Sequence, residues 1–199
     1  MQYLKTYLKK ITDRGNTKLA ESIEKTANDV GNKHIKTFSF SSHEIGLLLG
    51  NVQSGKTGQM FGIICKAADL GFPVFVLLTT DNVVLQQQTL DRVKTDLDGF
   101  CICGENDAAL FNENSLMDTV IIVLKKNVRM LKLWANILNS TGFMKGNPLF
   151  IIDDEADAAS LNTLVNRNRQ SSINKYLDSI KNGASSSLYL QVTGTPQAI

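Results

Sequence analysis

Two rhythms of apolar residues divide this chain. Over the first 31 residues the period is helical: Tyr3, Leu4, Tyr7, Leu8 and Ile11 share one face, and Gly15 supplies a stop. Leu19, Ile23, Ala27 and Val30 make the stripe of a second helix, expected to end at Gly31. Residues 32–44, NKHIKTFSFSSHE, read as a polar connection with a short edge strand around Phe38 and Phe40.

From residue 45 onward, short continuous apolar runs alternate with helical stripes. Strands are expected at 45–49, 73–79, 119–124, 149–153 and 187–193. Between them fall a helix over 57–70 and another carrying Leu90, Val93 and Leu97. A third covers 127–139, with Val128, Leu131, Ala135 and Leu138 in register, and a fourth lies near Ile173, Tyr176, Leu177 and Ile180. Strands that are apolar throughout must be buried on both faces, which requires a parallel sheet sandwiched by helices. The fold class is therefore α/β. Residues 1–44 form a helical appendage and linker, and residues 45–199 the main lobe, with no internal repeat.

Charge changes little in this picture. A net charge of +2 excludes a histone-like binder but not a local basic groove. Cys65, Cys101 and Cys103 are too few for a disulfide framework, and the chain start lacks the apolar core of a signal peptide. The longest apolar runs are too short to span a bilayer, so a cytoplasmic location with no membrane partner is expected.

The candidate chemistry begins where the first of these strands ends. Gly50, Asn51, Val52, Gln53, Ser54, Gly55, Lys56 and Thr57 match G-x-x-x-x-G-K-[ST], the P-loop pattern. Glycines let the backbone curl so that its N–H groups converge on phosphate oxygens, and the following helix adds the positive end of its dipole. Lys56 has the reach for the β- and γ-phosphates, and the Thr57 hydroxyl suits Mg²⁺. A random chain of this length would show the pattern roughly once in a hundred, and here it also lies between a strand and a helix.

A second cluster, Asp153, Asp154, Glu155 and Asp157, follows the apolar run LFII. Carboxylates at the carboxyl end of a parallel strand lie where such sheets bind ligands. Asp154 is assigned to the metal and Glu155 to the attacking water. Standing alone, the cluster would read equally well as a solvated helix cap.

Asp154-Glu155-Ala156-Asp157 spells D-E-A-D, the second motif of superfamily two helicases, and TGTP at 193–196 follows a strand as their third motif does. TTDNVVLQQQTLDRV (79–93) falls where those proteins carry a segment that touches nucleic acid. As a set, GNVQSGKT, VLKKN (123–127), IIDDEADAAS and TGTPQA make residues 45–199 resemble the first RecA-like lobe of a particular group. These are the helicase-like ATPases attached to an endonuclease domain in bacterial and phage defence systems.

The resemblance implies ATP and Mg²⁺ as cofactors, DNA as the partner, and catalytic roles for Lys56 and Glu155. Thr193 and Thr195 would couple the nucleotide state to the nucleic acid. It also implies a second RecA-like lobe with arginine fingers. That lobe and the endonuclease domain lie outside residues 1–199, so the isolated chain is expected to bind nucleotide with little or no turnover. DEAD-box RNA helicases read adenine through an upstream glutamine motif, and the sole glutamine before the cradle here is Gln2, in no such context. The base preference is therefore not read from this sequence.

Two other classes use the same cradle: a small P-loop kinase or phosphotransferase, and a non-catalytic nucleotide-binding assembly module. Both leave D-E-A-D and TGTP unexplained. The C-x-C of Cys101 and Cys103 lacks the partners of a zinc site, Cys65 and Trp134 read as core, and Arg167 and Arg169 read equally well as a polar loop or as contacts for nucleic acid or a second lobe. Lys125, Lys126, Arg129 and Lys132 read as a solvated basic helix face.

Overall fold

The alternation of apolar runs and helical stripes folds as its pattern requires. The structure, a computed structural model, describes residues 2–49, 55–156 and 164–194, apart from the side chains of 143–144 and 164–171. The helices α1 (Tyr3–Asp13) and α2 (Thr17–Val30) are the two amphipathic segments, and Gly15 turns the chain between them at φ 81°. There follow β1 (His43–Leu49), α3 (Lys56–Asp69), β2 (Val74–Thr79), α4 (Val83–Asp96), β3 (Cys101–Cys103) and α5 (Ala108–Asn114). The chain continues through β4 (Val120–Lys125), α6 (Val128–Ser140), β5 (Pro148–Asp154), α7 (Leu164–Gly183) and β6 (Ser186–Thr193).

All described strands join one parallel sheet in the order β1-β6-β5-β2-β4-β3. Successive residues of a strand point to opposite faces, and each face has its own core. Phe75, Leu77, Phe150, Ile152 and Leu190 pack with α1, α2, α3 and α4. Val74, Val76, Ile122, Ile151 and Tyr189 pack with α5, α6 and α7, around the fully buried Trp134 and Phe111. Burying both faces explains why no polar alternation marks these strands.

The two N-terminal helices are part of the first core. Helix α2 lies so close to α3 that a Cβ at Gly62 would run into Ile23 Cγ2. Tyr7 reaches over to the carbonyl of Gly58 at 3.4 Å, and Asp69 at the end of α3 accepts the backbone N–H groups of Tyr3 and Leu4.

Several expectations fail for local reasons. The second α-helix ends at Val30 with Gly31 as its C-cap, as expected, but Gly31 keeps φ −59° and the chain winds on into a π-helical turn, Gly31–Ile35, that buries Ile35. A glycine stops a helix by turning left-handed, and this one does not. Phe38 and Phe40 form no strand. Their rings pack on Phe72, at 5.4 and 5.7 Å, and on each other. Strand β3 and helix α5 were not anticipated, being too short to show a period. Residues 164–170 are helical rather than loop, because α7 starts two turns before its apolar stripe. Among the described residues, no helix is long and apolar enough to cross a membrane.

Candidate phosphate and metal site

The carboxyl ends of β1, β6 and β5 lie side by side. Leu49, the last residue of β1, pairs with Thr193 at the end of β6, and Val192 pairs with Asp154 at the end of β5. The expected phosphate strand, the TGTP strand and the acidic strand therefore open on one edge of the sheet. Gly50, Asn51, Val52, Gln53 and Ser54 of the cradle lie outside the described residues, as do Asp157 and Thr195. Thr193 is fully buried.

Gly55 adopts a left-handed conformation, φ 67° and ψ 40°, and delivers the chain into α3. Among the described residues no side chain caps this helix, and the first-turn amides after Gly55 are the kind of donors that an anion can accept from. Lys56 and Thr57 occupy that first turn, both half-buried.

Asp154 stands opposite. Burial pushes its carboxyl above the usual carboxylate range, and the Lys56 ammonium offsets part of that rise. The adjacent Glu155 carboxylate raises it further, while the Glu155 N–H, which bonds Asp154 Oδ1 at 3.0 Å, lowers it again. Lys56, at the start of α3, and Asp154, at the end of β5, thus share one electrostatic environment. Glu155 is exposed, with φ 53°, and no other described non-glycine residue has a positive φ. Such backbone conformations cost about 1–3 kcal/mol and persist where their surroundings enforce them.

Two residues that the sequence reading did not assign to the site, Lys126 and Tyr189, hold this turn together with Asp153. Lys126, at the end of β4, is buried rather than part of a solvated face. Its ammonium lies 2.7 Å from Asp153 Oδ1 and donates to the carbonyls of Asp154 at 2.9 Å and Glu155 at 2.8 Å. Tyr189 of β6 donates its hydroxyl to Asp153 Oδ2 at 2.6 Å, and burial, followed by the Asp153 charge, drives its own pKa up. Lys125 instead turns to Glu105, 3.3 Å away, while Arg129 and Lys132 are solvated as expected. The sequence signal was Asp153 itself, a charge closing the apolar run LFII, which has to find a partner.

On the neighbouring strand end, Asn82 caps α4 by accepting from the N–H groups of Val84 and Leu85, and Val83, Val84 and Leu85 remain exposed. Away from this edge, burial pushes the Cys103 thiol up to about 12, leaving it a neutral, poor metal ligand.

With this geometry in hand, solved structures provide a comparison. A nuclease-deletion mutant of the Type ISP restriction-modification enzyme LlaGI, in complex with a DNA substrate mimic, matches 87% of this chain with a TM-score of 0.58 at 17% identity. The fold is RecA-like. The Sulfolobus solfataricus SWI2/SNF2 ATPase core in complex with dsDNA matches 90% of the chain with a TM-score of 0.47 at 15% identity. This RecA-like chain spans 17% of the first structure's chain and 31% of the second's. No protein-family model and no curated protein matches the sequence.

The described part of this RecA-like site fits a Mg²⁺-bound phosphate. Among the described residues, no cluster of three or more His, Cys, Asp or Glu could hold a metal alone. Mg²⁺ bound to phosphates keeps most of its shell as water and phosphate oxygen, and needs only one or two protein groups. Thr57 and Asp154 suit that limited demand, and a half-buried carboxylate that resists ionisation gains from a cation beside it.

Proposed function

We propose that this chain binds Mg²⁺ with ATP and, with a second RecA-like lobe, hydrolyses the nucleotide to drive movement along DNA or its remodelling. The wider setting in this reading is a restriction or defence endonuclease, with residues 45–199 as the ATPase lobe and residues 1–44 as its helical appendage. The observation that carries it is that the carboxyl ends of β1, β6 and β5 lie side by side, with the Lys56 ammonium at the start of α3 acting on the Asp154 carboxylate.

In this reading the backbone of residues 50–57 and the Lys56 ammonium hold the phosphates. Thr57 would bind Mg²⁺ directly and Asp154 through water. The cation neutralises phosphate charge when bound. Glu155, exposed at the rim, orients the attacking water. Thr193 and Thr195 relay the nucleotide state to the DNA side, where the exposed first turn of α4 offers a contact surface. The restriction enzyme of similar fold was solved with a DNA substrate mimic, which supports the choice of DNA.

Calorimetry tests the reading. The wild-type chain is expected to bind Mg-ATP, with little turnover by itself, and Lys56→Ala is expected to abolish the heat. A Mg-GTP titration sets the base preference. A folded wild type that binds no nucleotide overturns the reading.

A further inference from the structure

Lys126 shares its ammonium among three consecutive residues. Its nitrogen lies 2.7 Å from Asp153 Oδ1, as an ion pair, and it donates hydrogen bonds to the carbonyls of Asp154 and Glu155 at 2.9 and 2.8 Å. Those residues close β5 and open the left-handed turn at Glu155. The lysine reaches them from two strands away, since β2 lies between β4 and β5. Its own backbone is fixed by a 2.9 Å bond from its N–H to the carbonyl of Thr79, at the end of β2. On the far side, Tyr189 holds the second oxygen of Asp153 at 2.6 Å.

A lysine needed only to neutralise a buried aspartate would require one contact. Two of its donors instead go to backbone carbonyls, and those carbonyls belong to the residues expected to meet the metal and the water. We propose that Lys126 is a positioning residue: its bonds to the Asp154 and Glu155 carbonyls set the acidic turn so that the Asp154 carboxylate supports Mg²⁺ beside the nucleotide. This rests on the nucleotide-binding reading above. Partners of this kind, one step removed from a metal, typically change metal affinity by roughly 10–100-fold when removed.

The test separates positioning from charge balance. Nucleotide affinity is measured on the full chain with Mg²⁺ and with a chelator, alongside thermal melts, for wild type, Lys126→Met, Lys126→Met/Asp153→Asn and Lys126→Arg. Lys126→Met leaves the buried Asp153 carboxylate without its counter-charge and is expected to melt early. The double variant removes the carboxylate charge as well and is expected to recover most of the melting temperature. It should bind nucleotide normally without Mg²⁺, yet lose roughly tenfold or more of the affinity that Mg²⁺ adds. Should the double variant fail to fold, Lys126→Arg keeps the charge but, as a planar fork, cannot reproduce three converging contacts, and the same selective loss is expected. Recovery of the full Mg²⁺ effect in a folded variant overturns the proposal, as does an equal loss with and without Mg²⁺. Absence of nucleotide binding by the wild type is the distinct outcome that removes the reading beneath it, and this proposal with it.

Discussion

At Asp154 the protein keeps a carboxylate whose burial opposes its charge. A carboxyl with a folded pKa above its unfolded value of 3.8 holds its proton more tightly in the folded chain. Its stabilising contribution is complete below 3.8 and is lost as the pH rises through the raised folded value, so at neutral pH the ionised group works against the fold. Asp154→Asn is therefore expected to raise the melting temperature at neutral pH without Mg²⁺ or nucleotide. The gain should fade as the pH falls through the folded pKa, and melts from acid to neutral pH would check it. A decrease at neutral pH would show that Asp154 is there for stability. Lys56, Thr57, Asp154 and Glu155, the residues of the proposed site, stand out in the sequence because the chemistry proposed for them depends on spacing along the chain. Lys126 could not, because next to Lys125 it looks like one more solvated cation. What sets it apart is its reach across β2 to Asp153, a relation that no linear spacing encodes.

Among the elements, the contact of α2 with α3 is the most sensitive to volume. Gly62→Ala places a methyl against the branch carbon of Ile23, which has no free rotation to yield. Overpacking of this kind costs about 1–3 kcal/mol, against a helix-propensity gain of about 1 kcal/mol. The expected net effect is a melting temperature lower by a few degrees, and Gly62→Ala combined with Ile23→Ala should recover part of it. An increase for Gly62→Ala alone would mean that the helices separate freely. The long helices and buried strands were readable from period and run length. Strand β3 and helix α5 were hidden because three residues show no period and a helix with one buried apolar residue, Phe111, shows no stripe. Gly31 marked the end of α2, but composition gives a glycine's freedom to turn without saying that the chain takes it, and the π-helical turn after it stayed hidden.

Across the molecule, a run of buried parallel strands was legible, but their order was not. Apolar strands separated by helices specify crossovers without saying which neighbour each crossover skips. Here β6, last in the chain, enters between β1 and β5, and so separates the Lys56 and Asp154 sites by one strand. Among the described residues the same order leaves β1 on the rim, paired with β6 alone, with Ile45, Leu47 and Leu49 at 66%, 49% and 55% exposure. A strand bonded on one side surrenders its amide hydrogens to solvent sooner than one bonded on both. Amides of His43–Leu49 are thus expected to exchange with deuterium well before those of Pro148–Asp154, and equal protection would mean that something else covers the rim. The strand leading into the proposed phosphate cradle is then also one whose deuterium clock runs fast, so occupancy of the cradle would register as a slowing of that clock.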